Sequence, residues 1–80
     1  PEDSIDSEVL VRLIQSLPLG YRSVFNLYAI EGYSHAEVAE MLQISVNTSK
    51  SQLSRARSFL QKRLVALNIQ KPKNHRNEII

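Results

Sequence analysis

The sequence predicts an all-α domain built from four helices, with no sheet. Apolar residues recur every three or four positions through most of the 80 residues, which is the period of an amphipathic helix. No stretch shows the strict alternation of apolar and polar residues that is typical of a half-buried strand. Proline, glycine and short serine-containing segments interrupt the helical period at points where helices usually begin or end.

The first two predicted helices meet at Pro18. Ser4 and Asp6 are N-cap candidates for the first helix, whose apolar residues recur from residue 5 to residue 17. Pro18 ends this helix, because the residue before a proline is disfavoured in the helical conformation. It also suits the first turn of the second helix, which is predicted to end at Gly32 in a left-handed conformation.

The third and fourth predicted helices are joined by a short turn. Ser34 and Glu37 have the spacing of a capping box. The third helix ends before Ser45, which is predicted to cap a fourth helix running to about Leu67. A short capped helix followed closely by a longer one is typical of a helix-turn-helix. We therefore expect a four-helix helix-turn-helix fold, similar to the three- or four-helical DNA- and RNA-binding bundles of the winged-helix type but without a sheet.

The chain is predicted to form one domain and a tail. Residues 1–67 form the helix-turn-helix domain, and residues 68–80 form a flexible basic tail, because the helical period is lost there. The chain begins with proline and has no signal-peptide pattern, so we expect a piece of a longer protein. It has no cysteine and no apolar run long enough to span a membrane. We expect a cytoplasmic protein with no membrane partner.

Charge is distributed unevenly along the sequence. Residues 1–43 contain two basic and seven acidic groups, a net charge of −5, whereas residues 44–80 contain eight basic groups and one acidic group, a net charge of +7. A solvated helical surface usually mixes both signs. The asymmetry therefore indicates that the C-terminal half binds a polyanion, and DNA is the partner that fits a helix-turn-helix.

The fourth predicted helix has two distinct faces. At about 100° per residue, one side forms an apolar stripe that is predicted to be buried. This stripe contains Val46, Ser49, Leu53, Ala56, Leu60, Leu64 and Leu67. The opposite side is short, polar and positive, with Asn47, Thr48, Ser51, Ser54, Arg55, Ser58 and Lys62. Small hydroxyl side chains let a helix approach a duplex closely, and basic side chains add charge-assisted contacts. This polar side is the predicted DNA-binding face.

Three residues lie at the edges of these two faces. Lys50 is near the start of the helix, where its long side chain is predicted to reach DNA. Arg57 borders the apolar stripe, so we expect its stem to lie on the core and its charge to pair with an acidic group of the second or third helix. Phe59 points away from both faces, and we expect it to pack against a neighbouring helix rather than bind a partner.

Neither histidine has the setting of a metal ligand. His35 and His75 are far apart in a sequence without cysteine, so no metal site is expected. His35 lies just inside the capped start of the third helix, where it is predicted to touch a DNA phosphate. The sequence has no nucleophile beside a base, no paired inward carboxylates and no glycine-rich phosphate loop. We therefore expect neither an enzyme, nor a cofactor, nor a small-molecule substrate.

More than half of the chain also resembles a known family. The segment from Leu17 to Leu64 reads LPLGYRSVFNLYAIEGYSHAEVAEMLQISVNTSKSQLSRARSFLQKRL. It is similar to the C-terminal promoter-binding domain, region four, of bacterial sigma factors of the extracytoplasmic-function (ECF) group. The most specific pieces are LP…YR…F, the helix entry EGYS…E and the recognition-helix pattern S…TSKS…L.RAR. Together these pieces are specific, whereas each alone is weak.

The resemblance implies a function and a set of contact residues. Region four binds the minus-35 promoter element and contacts the flap of the RNA polymerase β subunit, and many members are held inactive by an anti-sigma protein. The implied base and phosphate contacts are Thr48, Lys50, Ser51, Ser54 and Arg55, with Ser34 and His35 at the DNA backbone. Many relatives have glycine at the positions of Gln43 and Asn47. A positive φ is therefore predicted at Gln43. Asn47 joins the predicted DNA-contacting residues, because its side chain is able to reach a base.

Two other functions remain compatible with the sequence. One is the DNA-binding output domain of a dimeric response-regulator or quorum-type transcription factor. The other is a helical protein-interaction module whose main partner is the polymerase flap or an anti-sigma protein. A complex held by phosphate contacts loses affinity steeply as salt rises, whereas apolar docking loses little. Salt dependence therefore separates the DNA-binding functions from the protein-binding one.

Overall fold

A computed structural model describes residues 7–70, with side chains as far as Leu67. Four α-helices and one π-helical turn make up this part of the chain, which contains no strand. They are α1 (Ser7–Gln15), α2 (Leu19–Phe25), the π-helical turn π1 (Asn26–Ile30), α3 (His35–Leu42) and α4 (Val46–Gln70). The prediction of an all-α, four-helix helix-turn-helix is confirmed.

The helix boundaries follow the predicted signals closely. Pro18 occupies the cap position of α2, one residue before the first helical residue. Gly32 has a left-handed φ of 85° after π1, as predicted. The backbone of α4 continues to Gln70, which is three residues beyond the predicted end. The predicted N-caps Ser4 and Asp6, and residues 71–80 of the predicted tail, lie outside the described residues.

The second predicted helix is not α-helical throughout. The Glu31 amide donates to the carbonyl of Asn26, five residues earlier, at 3.0 Å, and the Tyr33 amide donates to the carbonyl of Leu27 at 3.0 Å. The first of these hydrogen bonds has the spacing of a π-helix, and the second closes the end of the helix after Gly32. Single π-helical turns usually extend an α-helix and are frequent at functional sites. This turn carries Tyr28, whose ring contacts the start of α3.

The hydrophobic core is organised around α4, which packs against α1, α2 and α3. The core residues are Leu13, Leu17, Val24, Phe25, Val38, Leu53, Ala56, Leu60 and Leu64. The predicted stripe of α4 is confirmed at Ser49, Leu53, Ala56, Leu60 and Leu64, which are buried, and Leu67 is half-buried. Val46 was wrongly placed in the buried stripe. It is exposed because it is the first residue of α4, where the helix emerges from the turn.

The turn between α3 and α4 contains one strained residue. Gln43 has a φ of 59° and a ψ of 49°, the left-handed conformation predicted for this position. Its amide donates to the carbonyls of Ala39 and Glu40, which completes the last turn of α3. A side chain with a Cβ is disfavoured in this conformation, whereas glycine adopts it readily.

Replacing Gln43 with glycine should therefore stabilise the domain. We expect Gln43→Gly to raise the free energy of unfolding by about 0.5–1 kcal/mol, because the relief of backbone strain exceeds the added entropy of the unfolded chain. The matched control Gln61→Gly, at an exposed position inside α4, should lower it by roughly 0.5 kcal/mol or more. Urea unfolding of both variants checks the opposite signs. A loss of stability in both would contradict the role of the left-handed turn.

Candidate nucleic-acid interface

The first helix of the helix-turn-helix begins with a complete capping box. The Glu37 amide donates to Ser34 Oγ at 3.1 Å, and the Ser34 amide donates to Glu37 Oε1 at 2.9 Å. The predicted capping box is confirmed. Because Ser34 Oγ acts here as an acceptor, its hydroxyl proton remains available to donate to an anionic partner. Ser34 is exposed, so this donor lies at the surface.

The start of α4 is fixed by a second set of short-range hydrogen bonds. The Thr48 amide donates to Ser45 Oγ at 2.9 Å, which confirms Ser45 as the cap of α4. The Ser45 hydroxyl donates to Thr48 Oγ1 at 2.9 Å, and the Ser51 hydroxyl donates to the Thr48 carbonyl at 3.1 Å. In this arrangement Thr48 offers a hydroxyl proton, whereas Ser51 offers oxygen lone pairs. The two hydroxyls therefore present different hydrogen-bonding groups to a partner.

The predicted contact residues of α4 share one accessible side of the helix. Asn47, Lys50, Ser51, Ser54 and Arg55 are exposed, and Thr48 is half-buried. From residue 47 to residue 55 a helix rises by about 12 Å, which is close to the width of the major groove of B-DNA. We call this set of six residues the α4 ridge. The structure thus brings these six predicted residues together on one surface.

Electrostatics favour an anionic partner for the α4 ridge. Helix α4 contains five basic residues and no acidic residue. Arg57 is exposed, and it forms no ion pair with any residue in the described part of the chain. The expected internal pairing of Arg57 is therefore wrong, because its long side chain extends into water instead of crossing the edge of the core. Its charge adds to the positive field of α4.

Phe59 packs against the interior of the domain and is not a fully exposed surface residue. It is half-buried and packs against the core cluster, which confirms the packing prediction. The Arg63 guanidinium lies 4.7 Å from the centre of its ring, within the range of a cation–π interaction. One face of this aromatic ring is thus covered by a cationic side chain of the same helix.

His35 is held by two contacts at the junction of three elements. Its Nδ1 lies 2.8 Å from Ser49 Oγ of α4. Its ring stacks on Tyr28 of π1, with ring centres 4.2 Å apart and an angle of 19° between the planes. When Nδ1 accepts from the Ser49 hydroxyl, Nε2 carries the ring proton and is able to donate to the predicted DNA phosphate. Sequence reasoning placed Ser49 correctly on the buried stripe but did not link it to His35. A serine within a row of leucines was the feature that indicated an internal hydrogen-bond partner.

The next two features concern metal binding and membrane crossing in the described residues. Residues 7–70 contain no group of three or more His, Cys, Asp or Glu side chains that could hold a metal ion. His75 lies outside that range. In the same part of the chain, no helix combines the length and the apolar character that crossing a membrane requires.

The domain is a helix-turn-helix, because a short capped helix is followed by a left-handed turn at Gln43 and then by a longer cationic helix. Residues 7–60 match the family model described as "Sigma-70, region 4". The chain belongs to the sigma-70 region 4 family. It is 40% identical over 68 residues to the "ECF RNA polymerase sigma factor SigW" of Bacillus subtilis (strain 168), a match that covers 80% of this chain and 36% of the relative. No solved structure gives a significant match to the chain.

These similarities confirm the resemblance found in the sequence. They favour a sigma factor over the output domain of a response-regulator or quorum-type transcription factor, because both the family and the relative are sigma factors. The chain spans about a third of the length of that relative. The relative therefore contains additional sequence that this chain does not match.

Proposed function

We propose that this domain binds the minus-35 promoter element through α4, as part of a sigma factor that directs RNA polymerase to initiate transcription. The observation that carries the proposal is the α4 ridge, an exposed polar and cationic surface on a helix without acidic residues. Promoter DNA and polymerase place this function in the cytoplasm. The proposal assigns no catalytic step, cofactor or small-molecule substrate to the domain.

The residues of the α4 ridge differ in the contacts that their chemistry suits. Arg55 is able to donate two hydrogen bonds to the O6 and N7 atoms of guanine, and Asn47 is able to pair in the same bidentate manner with adenine. Lys50 suits a phosphate, as a point charge on a flexible stem. Ser51 and Ser54 are small enough to let the helix backbone approach the bases. Direct base reading is thus proposed mainly for Arg55 and Asn47.

Residues at the start of α3 are proposed to contact the DNA backbone. In a helix-turn-helix, the first helix crosses the phosphates while the second lies in the major groove. The Ser34 hydroxyl is available to donate there after its internal hydrogen bond is made, and so is His35 Nε2 when Nδ1 accepts from the Ser49 hydroxyl. Such contacts fix the orientation of the domain on the duplex without reading its sequence.

Salt dependence tests the DNA-binding proposal. The probe is a duplex recovered by selection from a randomised pool, and its affinity for the 80-residue chain is measured over a series of salt concentrations. A complex held by phosphate contacts should lose affinity with a log–log slope of about −0.9 for each phosphate neutralised. A slope near zero, or recovery of no preferred sequence, would overturn the proposal.

A separate surface is proposed to contact the flap of the polymerase β subunit. Val11, Ile14 and Ile30 line an apolar cleft between α1 and the α2–π1 segment, and Val11 and Ile30 are 51% and 60% exposed. Arg22 Nη1 donates to the carbonyl of Gln15 at 2.9 Å, which ties α2 to the end of α1 beside the cleft. None of the cleft residues comes from α4. DNA and polymerase are therefore able to occupy different surfaces of the domain.

Substitution of Ile30 tests this second contact. We expect Ile30→Asp to weaken binding to the isolated β subunit by about fivefold, because a charge in an apolar contact must be desolvated. Duplex affinity should stay at the parental value. Leu19→Asp, which places the same charge at an exposed apolar residue outside the cleft, is the control. Equal effects of both variants on β-subunit binding would contradict the cleft as the contact surface. If an anti-sigma protein also binds this domain, competition with the β subunit shows whether it uses the cleft.

A further inference from the structure

Ser49 is an exception within the buried face of α4. Ser49 is 0% exposed, and it is polar, whereas the other buried side chains in the described part of the chain are apolar. Its neighbours on that face are leucine and alanine residues, which pack without directional constraints. A hydroxyl that is removed from water destabilises a protein unless it is hydrogen-bonded. Ser49 meets this requirement through His35 Nδ1, at 2.8 Å.

The other partner of this hydrogen bond is itself immobilised. His35 is the first residue of α3 and lies between Ser34 and Glu37, the two members of the capping box that fixes the start of this helix. One face of its ring is stacked on Tyr28 of π1. The imidazole therefore has a defined position and orientation before it meets Ser49. A hydrogen bond from a fixed ring constrains its partner in distance and in angle, which apolar packing does not.

Ser49 lies next to residues of the α4 ridge, which is the proposed DNA-binding surface. Ser49 lies between Thr48 and Lys50, and Asn47 and Ser51 flank those two residues. A helix is rigid over one turn, so fixing one residue fixes the height and rotation of its neighbours. Base contacts weaken steeply with small changes of distance and angle. The same hydrogen bond thus controls where the first turns of α4 meet a duplex.

We infer that His35 and Ser49 form a positioning pair that sets the placement of α4 against α3 and thereby the promoter sequence that the domain prefers. This inference rests on the proposed function. Neither residue needs to touch a base for this role. Ser49 is too deeply buried to contact DNA, so any effect of its substitution on sequence preference must be transmitted through the position of α4.

Ser49→Ala is the variant that isolates this role. The measured quantity is the ratio of affinities for the selected duplex and for a duplex with one base pair changed opposite α4. Partial unfolding lowers both affinities by the same factor and leaves their ratio unchanged. We expect the ratio to fall about tenfold, the size of one good base contact. Ser23→Ala removes the same hydroxyl from a half-buried serine of α2 and should leave the ratio unchanged.

A double variant tests whether His35 acts through Ser49. In the Ser49→Ala background, the further change His35→Ala should leave the ratio as it is, because the positioning hydrogen bond is already absent. A further fall in the double variant would overturn the pairing. So would a Ser49→Ala ratio equal to that of the parent. A parent that fails to distinguish the two duplexes overturns the proposed function itself, and the inference with it.

Discussion

Leu60→Ala is expected to lower the free energy of unfolding by about 2–5 kcal/mol, the range for truncating a buried leucine. Leu60 is 0% exposed and lies in the middle of the core face of α4. The substitution removes buried methyl groups and leaves a cavity that the surrounding helices close only in part. For a domain of this size, each kcal/mol corresponds to roughly 4–8 °C in melting temperature. Thermal unfolding followed by circular dichroism measures the effect.

Val65→Ala provides the matched comparison on the same helix. Val65 is 52% exposed, so truncating it removes little buried surface and should change stability by no more than about 0.5 kcal/mol. Alanine also has the higher helix propensity, which offsets part of the loss. Equal melting temperatures for the Leu60 variant and the parent would show that α4 does not present this face to the core.

The fold was predictable because its signals are local and agree with one another. The capping box at Ser34 and Glu37, the cap at Ser45 and the glycine at Gly32 each specify a helix end by their own chemistry. The leucine period of α4 then specifies which side is buried. The exception was Val46, because a helical wheel gives direction around the axis but not the point along the axis at which packing begins.

Contacts between distant residues were less accessible to sequence reasoning. The π-helical turn adds one residue to a hydrogen-bonded ring, but it lies at the end of its helix, so few apolar residues follow it to show the shifted period. The pair of His35 and Ser49 joins residues 14 positions apart. Periodicity assigns each of them to a face but does not bring the two faces together. The Arg57 prediction failed for a related reason, since an edge position does not determine where a long side chain extends.

Arg55→Ala is expected to weaken binding to the selected duplex by about 1–3 kcal/mol, or roughly 5- to 150-fold in affinity. Arg55 is exposed on the α4 ridge, and its guanidinium forms no ion pair in the described residues that DNA would have to break. The loss should be accompanied by a relaxed preference at one base position. A titration at moderate salt measures the affinity, and unchanged helix content by circular dichroism shows that the fold is intact.

Arg57→Ala and Arg55→Lys separate charge from recognition. Arg57→Ala removes the same charge from an exposed position two residues away, so it should weaken binding to all duplexes by a similar small factor. Arg55→Lys keeps the charge but loses the planar fork that pairs with guanine. We therefore expect it to preserve the salt dependence of the parent while losing the base preference, as Arg55→Ala does. If lysine instead restores the full preference, Arg55 contacts a phosphate, and base reading must be assigned to other residues of the α4 ridge, beginning with Asn47.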